Sequence, residues 1–255
     1  MSTPFDRVPA GSGLHPVMMV AIAARDLAAS VAFYRTLFGW QAHAVSPDIA
    51  VVSLPQGPTV VLRADAPEGF QGMVPFIRVD DVAATIAAVV AAGAAIEKAP
   101  RPLPMAGTLA RISDPSGTIY GLVDAALPPS LARVAMPFGA NPRPPAGTIC
   151  SLEMYARDGA SAAGFFGVHF GWGTVETMPQ YLAFDPGAGV PGVFQSHTPG
   201  LPAVAYVYVG DATATLARAE AAGGQRIGEP MALPGLGTFG YFKDACGTTM
   251  GLIAP

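Results

Sequence analysis

Short apolar runs alternate with amphipathic stretches along the first half of the chain. Residues Val17 to Ala24 form an apolar run of strand length, and Asp26 follows it as a helix-capping residue. From there to Phe38, large apolar side chains recur at spacings of three and four, which predicts a helix with one apolar stripe. Gly39 is placed to end that helix, because glycine readily adopts the left-handed conformation that closes many helices.

The same signals predict a second passage of this kind. Beyond the first helix, the predicted strands are residues 50–54, 59–63, 74–79, 109–112 and 118–123, and a second helix covers residues 82–92 and ends at Gly93. The order of strand, helix and strands therefore occurs twice. We interpret the first half of the chain as two βαβββ units.

The second half of the chain repeats the first. Arg25 to Trp40 matches Arg157 to Trp172 without gaps, with seven of sixteen positions identical. Val79 to Pro100 matches Val209 to Pro230 with nine of twenty-two identical. A third pair of segments, near the end of each half, shares proline, glycine, threonine and aspartate residues, so a common alanine bias does not explain the repeat. Two copies of one domain are predicted.

The segment between the copies is rich in proline and lacks a helical or strand period, which is typical of a stiff linker. The predicted organisation is an N-terminal arm of residues 1–13, a first domain of residues 14–126, a linker of residues 127–147 and a second domain of residues 148–255. Each domain is long enough to form its own core.

Composition narrows the classes of function. Hydrophobic residues make up 51% and charged residues 13% of the chain, which excludes intrinsic disorder. The formal net charge of −4 argues against a nucleic-acid partner. Two cysteines are too few for a disulfide scaffold or a structural zinc site. Neither a signal peptide nor a membrane-spanning apolar run is present, so no membrane partner and a cytoplasmic location are expected.

Three motifs resemble those of the vicinal-oxygen-chelate superfamily, which includes glyoxalase I, bleomycin-resistance proteins and extradiol dioxygenases. They are the helix end FYRTLFGW, the passage VDDVAATIAAVVAAGA and the turn DPSG. The segment GGQRIGEPMALPGLGTFGYFKD is similar to tandem-domain glyoxalase-like proteins. The resemblance implies an α+β fold of two tandem glyoxalase-like domains. In each, two βαβββ units form a curved eight-stranded mixed sheet whose concave face holds a small ligand.

The resemblance also implies where a metal ion would be bound. Enzymes of this superfamily hold a divalent cation with His, Gln or Glu from the first, fifth and eighth strands of a domain. In the two copies these positions fall on Met19 and Ser151, Val74 and Val204, and Gly121 and Gly251. None of these side chains is a conventional ligand of a divalent cation. We therefore expect no metal ion and no other cofactor.

One carboxylate is a candidate for the chemistry of the second domain. Glu153 lies two residues after Ser151 in a predicted strand, so both side chains face the same side of the sheet. A carboxylate on an apolar concave face has a raised pKa unless it is paired. Glu153 is therefore a candidate ligand anchor or catalytic acid or base, and its counterpart in the first copy is Ala21. The alternative, that an arginine across a domain interface neutralises Glu153, is equally compatible with the sequence.

Further candidate ligand-binding residues are apolar or phenolic side chains that alternate along the predicted strands. The full set of candidates is Met19, Arg78, Ser151, Glu153, His197, Val204, Tyr206, Tyr208, Phe239 and Tyr241. His197 belongs to the set because its loop is expected at the mouth of the sheet. Arg78 faces an anionic ligand in one interpretation and pairs with an aspartate in the other. Ordinary core packing would produce the same alternation.

Three functions are compatible with these observations. The first is a binding protein that holds a small hydrophobic or aromatic molecule in a metal-free concave site. The second is a metal-independent enzyme of the lyase, isomerase or hydroxylase type in which Glu153 is the acid or base. The third, a metal-dependent glyoxalase or dioxygenase, is disfavoured by the missing ligands. The sequence leaves open whether two chains associate as a homodimer.

Overall fold

The computed structural model describes residues 3–13, 15–54, 56–66, 72–103, 107–126, 131–138, 142–198 and 200–255. Within these ranges, residues 17–123 form one eight-stranded mixed sheet and residues 149–254 form another. Four α-helices and a short 3₁₀ helix, Pro4–Arg7, complete the described elements. The predicted α+β class with two tandem domains is confirmed.

The first domain contains strands β1 (Val17–Ala23), β2 (Ala42–Ser46), β3 (Ile49–Val52), β4 (Thr59–Arg63), β5 (Met73–Arg78), β6 (Ala95–Leu103), β7 (Gly107–Ser113) and β8 (Ile119–Val123), with helices α1 (Leu27–Phe38) and α2 (Val82–Ala91). The strand order in its sheet is β2-β3-β4-β1-β5-β8-β7-β6. Strands β1 and β5 pair antiparallel at the centre, where the two βαβββ units meet.

The second domain contains strands β9 (Ile149–Tyr155), β10 (Gly173–Met178), β11 (Tyr181–Asp185), β12 (Gly192–Gln195), β13 (Ala203–Tyr208), β14 (Gln225–Leu233), β15 (Gly237–Lys243) and β16 (Thr249–Ala254), with helices α3 (Gly159–Phe170) and α4 (Ala212–Ala221). Its strand order, β10-β11-β12-β9-β13-β16-β15-β14, matches that of the first sheet strand for strand. The sequence repeat is therefore a repeat of topology.

The residues predicted to begin and end the first helix do so in the structure. The Asp26 carboxylate accepts a hydrogen bond from the backbone N–H of Ala29, which satisfies one of the free donors at the start of α1. Gly39 ends this helix with φ of 72°, a conformation that costs glycine little. Asp158 and Gly171 play the same parts at α3.

Two strands in the first domain were missed by the sequence analysis. Strand β2 has mostly exposed side chains, so it lacks the alternation that marks a half-buried strand. Strand β6 contains Pro100 and Pro102 and is largely exposed. Both lie at the edges of the sheet, where proline and polar side chains are tolerated and the pattern used for prediction is weakest.

The helix-bearing faces of the two sheets share one continuous core. Helix α1 contacts α4, and the Tyr34 hydroxyl donates a 2.8 Å hydrogen bond to Asp244 Oδ2 of the other domain. Phe166 of the second domain packs edge-on against Tyr120 of the first, with ring centroids 5.1 Å apart. The opposite, concave face of each sheet carries a separate apolar cluster. The shared core therefore leaves both concave faces for other roles.

The linker and the N-terminal arm pack onto the concave faces. Leu131 joins the apolar cluster of the first sheet, and Val134 and Phe138 join that of the second. Phe5, from the 3₁₀ helix, contacts Phe138 with ring centroids 5.1 Å apart. The described part of the linker is therefore part of the packed structure. None of the described helices combines the length and apolar content that crossing a bilayer would need.

Candidate ligand-binding site

The concave face of the second domain holds a cavity of about 100 Å³ that opens to solvent on one side. Its walls are mainly aromatic and thioether side chains, including Phe5, Met136, Phe138, Met178, Met231 and Phe239. We call it the Glu153 cavity, because Glu153 contributes its one carboxylate among the described lining residues.

Glu153 reaches the cavity from the central strand β9, where it is the cross-strand neighbour of Val204 on β13. Burial raises the pKa of the Glu153 carboxyl above its ordinary value, and a hydrogen bond from the Tyr206 hydroxyl lowers it less strongly. None of the described residues that line the cavity is a lysine, arginine or histidine. No described residue of the cavity wall can therefore neutralise Glu153. The alternative of an arginine partner is wrong for this part of the structure.

Two tyrosines form a hydrogen-bonded chain that ends at Glu153. The hydroxyl oxygens of Tyr206 and Tyr241 lie 2.6 Å apart. Because a phenol has one proton, a Tyr206 that donates to Glu153 must accept its bond from Tyr241. Burial, followed by the charge of Glu153, raises the pKa of Tyr241 to about 12, so this hydroxyl stays protonated at neutral pH. In this arrangement, Tyr241 donates to Tyr206, and Tyr206 donates to the Glu153 carboxylate.

A third tyrosine connects the cavity to its rim. The Tyr181 hydroxyl on β11 lies 3.0 Å from Nε2 of the exposed His197. Burial, and then the charge of Glu153, raises the pKa of Tyr181. His197 itself is not among the lining residues. It contacts the hydroxyl of Tyr181, which does line the cavity.

Aromatic rings cover the eighth-strand positions at which the superfamily resemblance puts a metal-binding carboxylate. A Cβ atom at Gly251 would overlap the ring of Tyr206, and one at Gly121 would overlap the ring of Phe76. A glutamate at either position would have to displace its ring. Nowhere in the described ranges do three or more His, Cys, Asp or Glu side chains gather closely enough to hold a metal ion. The residues at the metal-binding positions of the superfamily therefore do not fit a divalent-cation site.

Five of the residues predicted from sequence line the Glu153 cavity together: Ser151, Glu153, Tyr206, Phe239 and Tyr241. Val204 and Tyr208 lie on β13 but outside the lining. The linker covers Tyr208, whose carbonyl accepts a hydrogen bond from the backbone N–H of Gly147. A ligand-binding role for these residues stays a prediction.

The structure does not bring the two candidates from the first domain to a cavity. Met19 is partly buried in the apolar cluster of the first sheet. Arg78 forms an ion pair with Asp80, the second of its two interpretations, and its carbonyl lies 3.0 Å from His15 Nδ1. Neither residue is placed to meet a ligand near Glu153.

Several residues of the Glu153 cavity were missed by the sequence analysis. Tyr181 and Met178 belong to the β10–β11 hairpin, and Phe5, Met136 and Phe138 come from the arm and the linker. In the arm and the linker, the available signal for these cavity residues was isolated large apolar side chains in proline-rich sequence. No periodicity accompanied them, because the described residues of the linker, 131–138 and 142–147, form neither helix nor strand.

The comparisons with known proteins agree with the paired βαβββ units. The family model of the Glyoxalase/Bleomycin resistance protein/Dioxygenase superfamily matches residues 14–119. Proteins of Mycobacterium bovis and Mycobacterium tuberculosis, both named "Putative glyoxylase CFP32", are 31% identical over 252 residues, covering 92% of this chain and 93% of theirs. The chain belongs to this superfamily, which confirms the resemblance found in the sequence.

Solved structures show the same fold at low sequence identity. The Mn(II)-bound glyoxalase from Novosphingobium aromaticivorans is 16% identical, with a TM-score of 0.62 over 96% of this chain and 83% of that one. The 2,3-dioxygenase LapB from Pseudomonas sp. KL28 is 14% identical, with a TM-score of 0.62 over 96% and 93% of the two chains. At these identities the similarity concerns the fold alone.

Proposed function

We propose that the Glu153 cavity binds a small neutral aromatic or apolar molecule through one polar group, without a metal ion. The observation that carries the proposal is a partly buried carboxyl with a raised pKa at the end of the Tyr241–Tyr206 chain, in a cavity with mainly apolar walls. Such a combination of apolar lining and few convergent polar groups is typical of small-molecule sites.

The lining indicates the chemistry of the ligand. Flexible methionines such as Met136, Met178 and Met231 adapt to ligands of different shape, and Phe239 offers a ring for stacking. Glu153 accepts a hydrogen bond when ionised, so the ligand needs a donor such as a phenolic hydroxyl or an aromatic N–H. An anionic ligand is disfavoured, because it would meet a carboxylate with no cation among the described lining residues.

A thermal-shift series tests this proposal with phenol and indole as neutral donors and benzoate as the anion. We expect both neutral probes to raise the melting temperature by mass action. Any rise caused by benzoate should be the same in the wild type and in Glu153→Gln, because benzoate is expected not to enter this cavity. In Glu153→Gln, phenol should bind about 10-fold to 100-fold more weakly, because a hydrogen bond to a charged group is lost.

Glu176→Gln is the matched control, since Glu176 is exposed on β10 of the same domain. It should bind phenol as the wild type does. Equal affinity for phenol in the wild type and in Glu153→Gln would contradict the proposal, as would a complete lack of response to every neutral probe.

One observation also favours a metal-independent enzyme. A carboxyl whose pKa is raised by burial can act as a general acid or base, and such a group contributes roughly 100-fold to 10,000-fold to a rate. The mycobacterial relatives are named putative glyoxylases, which is consistent with an enzyme. Turnover of aldehydes in the presence of a chelator, followed against pH, tests this function. Turnover that is unchanged in Glu153→Gln would remove Glu153 from the mechanism.

A further inference from the structure

The concave face of the first domain holds a second cavity, of about 70 Å³, which opens to solvent. Its floor is apolar and buried, formed by Ala21, Val74, Phe76 and Leu109. Its rim is cationic, formed by Arg63 of β4, Lys98 and Arg101 of β6, and Arg111 of β7. We call it the basic cavity.

Positive charge exceeds negative charge in this cavity. Asp65 is the one carboxylate among the described lining residues, so four cationic groups and one anionic group leave 4 − 1 = +3, in a chain whose formal net charge is −4. Asp65 is engaged by the guanidinium of Arg63 through hydrogen bonds of 2.8 and 2.6 Å. The other cationic side chains of the rim are Lys98 and Arg101 on β6 and Arg111 on β7.

Strand registers bring these side chains together over the apolar floor. Lys98 is the cross-strand neighbour of Arg111, and Arg101 that of Leu109. Arg111 pairs with Gly121, and Gly121 with Phe76, so these three residues form one row across β7, β8 and β5. Because Gly121 has no side chain, the Arg111 side chain and the Phe76 ring are neighbours on this face.

The like charges are close enough to affect one another. Burial lowers the pKa of Lys98, and the charges of Arg111, Arg63 and Arg101 lower it further. A bound anion would relieve this repulsion, because it lies near several cations at once.

The basic character belongs to the first copy of the repeat. In the second copy, Met231 and Tyr241 stand in place of Arg101 and Arg111, at an offset of 130 residues. Glu153 stands in place of Ala21, at an offset of 132 residues. The first sheet therefore has arginines where the second has Met231 and Tyr241, and the second sheet has a carboxylate where the first has Ala21.

We propose that the basic cavity binds a small organic carboxylate, with the carboxylate at Arg101, Arg111 and Lys98 and the apolar body on Phe76 and Leu109. The guanidinium fork matches a carboxylate in a bidentate geometry. The apolar floor favours an anion with an apolar body over an inorganic ion. This site is independent of the Glu153 cavity.

Calorimetric titration with benzoate, benzyl alcohol and inorganic phosphate tests the proposal. We expect benzoate to bind at least about 10-fold more tightly than phosphate in the wild type, and than benzyl alcohol in Glu153→Gln, where the other cavity is impaired. Benzoate should bind more weakly as salt increases. Arg101→Gln combined with Arg111→Gln should weaken benzoate binding by about 10-fold or more. The single variant Arg101→Gln, at an exposed edge-strand position, should show a smaller loss in the same direction if the double variant does not fold.

Two controls separate this site from the other one. Arg35→Gln removes an exposed positive charge on α1 and should leave benzoate affinity unchanged. Glu153→Gln should also leave it unchanged, so the two proposals fail separately. The proposal is overturned if benzoate does not bind, if its affinity is the same in wild type and Arg101→Gln, or if phosphate binds as tightly as benzoate.

Discussion

Replacing Phe166 with alanine is expected to lower the free energy of unfolding by about 3–5 kcal/mol, the range for deleting a buried aromatic side chain. Phe166 is 0% exposed and lies at the centre of the core that both domains share. Its ring contacts Trp172 and Phe194 of its own domain and Tyr120 of the other. The variant therefore leaves a cavity at the interface between the domains. Chemical denaturation measures the loss.

Val168→Ala is the matched control for this variant, because Val168 lies on the same helix and is 80% exposed. Its effect should stay within about 0.5 kcal/mol of the wild type. A Phe166→Ala variant as stable as Val168→Ala would contradict the shared core.

Gly251→Ala is expected to destabilise the protein by about 1–3 kcal/mol, the usual cost of adding atoms to a packed site. The new Cβ would overlap the ring of Tyr206, which is 2% exposed and has little room to move. A displaced ring would also lose the 2.6 Å contact with the Tyr241 hydroxyl. We therefore expect weaker phenol binding together with the loss of stability.

Gly164→Ala provides the control, since a Cβ at this position on α3 would meet nothing within 4 Å. Alanine there should stabilise the helix by up to about 1 kcal/mol. If Gly251→Ala instead retained wild-type stability and phenol affinity, the rings would not fill the eighth-strand positions as described.

The fold was largely predictable because its signals are local and occur twice. Asp26 and Gly39 mark the ends of α1, and their counterparts Asp158 and Gly171 mark those of α3. The repeat then made the two-domain organisation visible. Strands β2 and β6 were missed because edge strands bury few side chains, and burial on one face produces the alternation used for prediction.

The candidate site was predictable only where it lies on regular strands. The period of two placed Ser151 and Glu153 on one face, and the same rule found Tyr206 and Tyr241. Phe138 was missed because the linker has no period. The basic cavity was missed because its cationic residues lie on three strands and meet only through the pairing registers.

The measurement that tests the central claim most directly is the pH dependence of unfolding free energy in the wild type and in Glu153→Gln. The claim is that the Glu153 carboxyl is largely removed from water and that no cationic side chain of the described residues pairs with it. Its pKa is raised above the ordinary 4.5, so above that pH the folded state holds the proton more tightly than the unfolded state. Stability contributed by this group is present at lower pH and is lost as the pH rises through the raised pKa.

The unfolding free energy of Glu153→Gln minus that of the wild type should therefore increase as the pH rises above about 4.5, and level off once Glu153 is ionised in the folded protein. Asp114 and Asp244 also have pKa values raised mainly by burial, but they are common to both proteins and cancel in the difference. A difference that decreases with rising pH would contradict the account, because it would mean that ionised Glu153 is stabilised by a positive partner.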